Sequence, residues 1–333
     1  MYSANNLLET ERYKKNISRR KLANGICSPQ LLIKAAKDDT NIEFLTFKLL
    51  LERIGRSPEY LEFILSEKEY SDVLKRNDIE NSIFTGDYNN ADALLNEYIP
   101  DIASTSPVMQ MYYYRIQALL NTCGNKPNLV KAQEYILDAI YTTLPGITIS
   151  NYNKYLFSTY ELENILMLCK ILCLLGNDKD ASFILEEIYK YSLNSIQDSW
   201  LRASILPKCA YLISTYCGNY IGSGRIIDYL EQTIDLMRDE GVIYMMEPLL
   251  TNLINIYEKN GISEKVTFYV PFRDAIHELL MKYIPNLPQD SIFFRWRRAS
   301  YNLDTEVFRA ERARHHLSQI DLASDVFSDA SSL

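Results

Sequence analysis

Cys169 and Cys173 lie one helical turn apart and are the pair best spaced to hold a soft metal through thiolates. A metal site needs further ligands, and the three histidines, His277, His315 and His316, are distant in sequence. The stretch around the pair, LCKILCLL, reads as core, and the six cysteines as reduced, mostly buried residues. Neither a metal nor a cofactor is expected. Catalytic patterns are also missing: the chain has no GxSxG, P-loop, HExxH or dinucleotide glycine motif. Carboxylates are plentiful, but no spacing singles out a pair. The reading is a non-enzymatic protein.

A different chemistry is suggested near the start. Residues 1–60 carry eleven Lys/Arg against seven Asp/Glu, a net +4 in a chain of net −8, so the remainder carries −12. A basic end on an acidic body can touch a polyanion locally, although an uninformative surface imbalance gives the same count. Arg19 and Arg20 would hold phosphates, and Ser28, Gln30 and Lys34 would reach base edges or phosphates.

Those residues need a frame. A first short helix reads as Leu7 to Lys15. Ser18 caps a second, within ISRRKLA, and Asn24-Gly25-Ile26-Cys27 forms a tight turn. Ser28 caps a third helix with Pro29 at its first position, and a longer helix from Ile42 to Ile54 covers the others. Short helix, glycine turn and capped second helix make a helix-turn-helix layout.

Downstream, Gly86-Asp87-Tyr88-Asn89-Asn90-Ala91 and Gly176-Asn177-Asp178-Lys179-Asp180-Ala181 repeat one Gly-to-Ala spacing between amphipathic helices. Three looser hairpins follow the same plan: 108–123 with 128–143, 200–216 with 224–240, and 242–259 with 263–283. Glycine and proline number only 11 each, and 47% of residues are hydrophobic, which favours long packed helices. The hairpins resemble tetratricopeptide repeats in spacing and helix length, without the tryptophan-rich start; a generic helical bundle is the plainer alternative. The fold class expected is all-α: an N-terminal helix-turn-helix module, then a right-handed array of tetratricopeptide-like helical hairpins. Domains are expected at 1–65, 66–303 and 304–333.

Stacked hairpins expose a concave groove lined by their first helices. Counting back from the helix-ending glycines places Tyr114, Asn121, Lys170, Lys208, Thr215, Thr251, Asn255 and Glu258 there as candidate peptide-binding residues. For each one alone, a solvated helix face is the plainer reading.

ISRRKLANGICS resembles the Cro/C1-type (XRE) turn motif of the Gram-positive peptide-pheromone receptors, the Rap/Rgg/NprR/PlcR/PrgX group, which reads roughly L-[ST]-Q-x-x-L-[AS]-x-G-I-C-S. LLLERIGRSPEYLEFILSEKEY is similar to the helix and linker that follow. The resemblance implies a peptide-responsive transcriptional regulator of the quorum-sensing type, a homodimer whose partners are an operator DNA and a short signalling peptide; the reduced cysteines suit a cytoplasmic protein, and no run of roughly 18 apolar residues offers a membrane span. Two features depart from the motif. Arg19 stands where glutamine is usual, and Ala35-Ala36-Lys37-Asp38-Asp39 replaces the usual glutamate, asparagine and glycine. Asp38 and Asp39 would repel a nearby phosphate. The missing glutamate and the acidic pair favour an alternative, an interaction protein that captures a partner without DNA; the resemblance also leaves open a docking regulator of a response-regulator protein.

The C-terminus carries a second, ungapped copy. Glu311-Arg312-Ala313-Arg314 aligns with Glu11-Arg12-Tyr13-Lys14, and Ser318, Leu322, Ala323 and Ser328 with Ser18, Leu22, Ala23 and Ser28. Gln319 supplies the motif's glutamine. The copy reaches Leu333 within its would-be recognition helix and is expected to be an incomplete helix-turn-helix.

Overall fold

A computed structural model describes residues 4–37, 40–58, 65–123, 127–148, 151–243 and 245–283. The pair Asp38 and Asp39 and the C-terminal copy of the turn motif lie outside the described residues. Among the described residues the regular structure is helical throughout. No described helix is long and apolar enough to cross a membrane.

The chain forms two compact units, Met1–Ile205 and Leu206–Leu333. The first opens with α1 (Ala4–Lys14), α2 (Arg19–Ala23), α3 (Pro29–Ala35) and α4 (Phe44–Arg53). Hairpins α5 (Glu67–Phe84) with α6 (Tyr88–Tyr98), α7 (Pro107–Cys123) with α8 (Leu129–Thr143), and α9 (Thr159–Leu174) with α10 (Asp178–Ser195) follow. Helix α11 (Ser199–Tyr216) carries the boundary between the units. The second unit continues with α12 (Ser223–Asp239), α13 (Met246–Lys259) and α14 (Ser263–Tyr283).

The local signals produce these elements directly. Ser18 accepts from the Lys21 amide and Ser28 from the Leu31 amide, each satisfying a donor that a helix start leaves orphaned. Gly86 and Gly176 end α5 and α9 at φ +81° and +82°, where a side chain would be strained. The alanines five residues on, Ala91 and Ala181, are fully buried. Their small side chains let the second helix of each hairpin approach the first.

Helix α9 lies at the centre of the first unit. Thirteen of its sixteen residues are buried, because α8 and α10 pack on it and α4 reaches it from the N-terminal module. A helix apolar on nearly every side has no solvent face. Cys169 and Cys173 are therefore core residues. Among the described residues no cluster of three or more His, Cys, Asp or Glu side chains could hold a metal ion.

Candidate nucleic-acid module and groove residues

In the N-terminal module, Leu22, Ala23, Ile26, Leu32 and Ala35 pack beneath α2 and α3, joined by Leu49 and Leu50 of α4. Burying each leucine contributes roughly 1.5–3 kcal/mol. This core leaves Arg20, Ser28, Gln30 and Lys34 exposed. Ile33 sits among them at 39% exposure, an apolar group on an otherwise polar surface. Arg19 is engaged: its Nε and Nη2 donate to Glu9 at 3.1 and 2.7 Å, and Arg12 grips the same carboxylate at 3.0 and 2.8 Å. The arginine expected to hold a phosphate thus already has an acidic partner.

Burial alone would raise the Glu9 carboxyl, but the two guanidiniums outweigh it and hold its pKa below the ordinary 4.5. A carboxylate depressed in the folded state stabilises it above the unfolded pKa, and that contribution is lost as pH falls through the folded value. Glu11, held down by Lys14 and Arg56, adds in the same direction. Lowering the pH from 7 to about 3 is therefore expected to reduce the urea midpoint, and Glu9→Gln to flatten that decline. An unchanged slope in the variant would remove Glu9 as a contributor.

The module is fastened to the hairpins by a buried polar joint. Arg53, at the end of α4, donates through Nη1 to the carbonyls of Leu22 (3.0 Å) and Asn24 (2.7 Å). Its Nη2 donates to the Thr143 carbonyl at the end of α8 (2.9 Å) and to Glu161 Oε1, and its Nε reaches Glu161 Oε2 at 3.0 Å. Glu161 is the third residue of α9 and closes a capping box, accepting from the Ser158 amide (2.8 Å) and hydroxyl (2.9 Å). Glu52 accepts from the Thr159 amide at 3.0 Å, and the Ser57 amide donates to Asp198 at 3.1 Å. One arginine thus ties the α2 terminus, the turn, α8 and α9 together. Neither Arg53 nor Glu161 was singled out by the sequence reading. The signal available was Ser158-Thr159-Tyr160-Glu161, a capping box before an apolar run.

The expected groove residues fall into different environments, each within its own unit. In the first unit, Tyr114 stacks on Tyr135 with ring centres 6.4 Å apart, so it is engaged in the α7–α8 hairpin. Asn121 Nδ2 donates to the Gln117 carbonyl of its own helix at 2.8 Å. Lys170 is buried, because α9 has almost no free face. In the second unit Lys208 is buried too, while Asn255 and Glu258 are exposed. Counting from a glycine gives a helical phase but not which phases a neighbouring helix covers, and that is why both lysines differ from the expectation of a groove-facing group. Thr251 donates to the Glu247 carbonyl at 2.9 Å. Thr215 accepts from Asn252 Nδ2 at 3.0 Å, which brings two first helices together through a residue the sequence reading passed over.

A second group it passed over joins α7 to α9. Arg115 donates to Asn164 Oδ1 and to Glu163 Oε2, both at 2.8 Å, and its guanidinium lies over the Tyr160 ring. Asn164 is fully buried, and its Nδ2 has no hydrogen-bond partner in the structure.

These features define an all-helical protein in which a helix-turn-helix module is joined to helical hairpins. No protein-family model and no curated protein matches the chain. Among solved structures it is similar to Bacillus thuringiensis PlcR in complex with the peptide PapR7 and DNA, at 10% identity and a TM-score of 0.44. The match covers 85% of this chain and 99% of that one.

Proposed function

We propose that the chain is a peptide-responsive transcriptional regulator and not an enzyme. Residues 1–65 form the DNA-binding module, 66–303 a tetratricopeptide-like sensor, and 304–333 the beginning of a second module. The observation that carries this reading is the pair of serine-capped helices around the Gly25 turn, with Arg20, Ser28, Gln30 and Lys34 exposed on one small module. Arg20 and Lys34 contact phosphates, while Ser28 and Gln30 face base edges. The peptide binds along the first helices of the hairpins; in the second unit Asn255 and Glu258 are open to solvent on one of them, and the asparagine amide offers both a donor and an acceptor to a peptide backbone. Binding shifts the array between arrangements and with it the spacing of two modules in a cytoplasmic homodimer.

A gel shift on DNA upstream of the gene encoding the chain, run over a salt series, tests the reading. Binding is expected to weaken steeply with salt. Lys34→Ala should lower the log–log salt slope by about one, whereas Gln30→Ala should relax sequence preference with little change in slope. No complex at low salt with an intact fold would sink the DNA-binding role. That outcome would favour the second reading, a partner-capturing protein without DNA. The Arg19–Glu9 pairing and the short seven-residue α3 support this alternative.

A further inference from the structure

A pocket of about 120 Å³ opens between α8 and α10, the second helices of two adjacent hairpins. Ile165 and Leu168 of α9 line it from the intervening first helix, with Leu137 of α8 and Ile184 of α10 also in its wall. Tyr141 and Phe183 line it while remaining half exposed, at 50% and 51%. None of its lining residues is among the groove candidates discussed above. Isolated exposed aromatic rings are ordinary, but two flanking one apolar concavity mark a place where an apolar group gains by leaving water.

The volume limits what enters. An apolar protein cavity of about 150 Å³ accommodates benzene, so this smaller space takes at most a single six-membered ring, with any substituent at its open side. The lining also contains one strong acceptor. Glu187 accepts from the Tyr152 hydroxyl through Oε2 and from Lys190 Nζ through Oε1 at 2.8 Å. A carboxylate has about four acceptor positions, so two stay open. Lys190 and Tyr152 hold its pKa below the ordinary carboxylate value, so the group is charged at neutral pH. The nearby Lys190 ammonium disfavours a cationic ligand, and the carboxylate disfavours an anion. A neutral hydroxyl donor satisfies both, and the Tyr152 phenol already makes such a bond with Glu187.

We propose that this pocket binds a neutral phenol-type group, its ring against Leu137 and Ile184 and its hydroxyl donating to Glu187. The group is either a free phenol or the side chain of an entering tyrosine. Ligand-observed NMR on the full chain, with p-cresol and toluene as probes, tests this. p-Cresol is expected to bind about tenfold more tightly than toluene, the difference one hydrogen bond to a charged acceptor makes. Glu187→Gln should bring p-cresol close to toluene while leaving toluene unchanged, and Ile184→Trp, which fills the space, should abolish both. Leu137→Phe repeats the filling test if Ile184→Trp fails to fold, as judged by its helical circular dichroism. N-acetyl-tyrosinamide separates the sources. Affinity matching p-cresol assigns the site to a tyrosine side chain, and much weaker affinity assigns it to a free phenol. Equal affinity for p-cresol and toluene, absence of p-cresol binding, or binding that survives both filled pockets would overturn the proposal. None of these readouts depends on DNA binding.

Discussion

Glu161→Ala is expected to destabilise the first unit by about 3–5 kcal/mol, because it leaves Arg53 buried without its counter-charge. Both side chains are almost fully enclosed, at 2% and 0% exposure, so water cannot replace the lost partner. The loss extends beyond the pair. Glu161 also holds the Ser158 amide and hydroxyl, so the α9 cap opens with it, a further cost of about 1 kcal/mol. Arg53→Met is expected to be comparably costly for a different reason: it strands the carbonyls of Leu22, Asn24 and Thr143. Because the two residues share one joint, the double variant should lose clearly less than the sum of the singles. Urea denaturation of the four proteins measures this. Additive losses, or single losses under 1 kcal/mol, would show that the joint is not the unit described. Hydrogen exchange locates the damage: protection is expected to fall in α2 and α4 before it falls in α7 and α8.

That joint also shows where the sequence stops being informative. The helices, their serine caps and the glycine-ended hairpins were legible because each depends on neighbours within about five residues. Helix α7 ends at Cys123 and α8 at Thr143, where the turn signals place them. The Arg53–Glu161 pairing spans 108 residues; the capping box marks Glu161 as a helix-start residue, but nothing local marks Arg53 or says that the two meet. The burial of Lys170 and Lys208 was invisible for a related reason. Periodicity assigns a lysine to the polar side of its own helix, while packing by neighbouring helices decides whether that side meets water. The exposed positions of α3 were easier, since a short helix over a small core leaves Gln30 and Lys34 little else to face. The partner of Arg19 was harder. Glu9 lies on α1, and its approach to α2 follows from the turn at Asn16, which adopts φ +53°, a backbone conformation uncommon for a residue with a side chain.

Gly25→Ala is expected to be the most damaging single-methyl change in the N-terminal module, with a loss of roughly 3 kcal/mol or more. Two independent costs meet there. Gly25 sits at φ +73°, where alanine is strained by about 1–2 kcal/mol. An added Cβ would also lie 2.1 Å from the Thr143 carbonyl oxygen and 2.7 Å from Pro145 Cδ, far inside contact distance. Both obstacles belong to the backbone or to a ring fixed on it, so no side chain can swing aside. The turn must therefore lift away from the end of α8. Thr143 supplies the carbonyl that Arg53 grips, so lifting the turn also pulls on the joint. Gly86→Ala is the matched control: φ is +81°, yet nothing lies within 4 Å of the added atom, so only the backbone strain of about 1–2 kcal/mol applies. Thermal denaturation of the two variants should separate them clearly. If Gly25→Ala costs no more than Gly86→Ala, the turn is not pressed against α8 in solution, and the module is free of the hairpins. If it costs more, combining it with Glu161→Ala should add little, because the first change has already weakened the interface that the second removes.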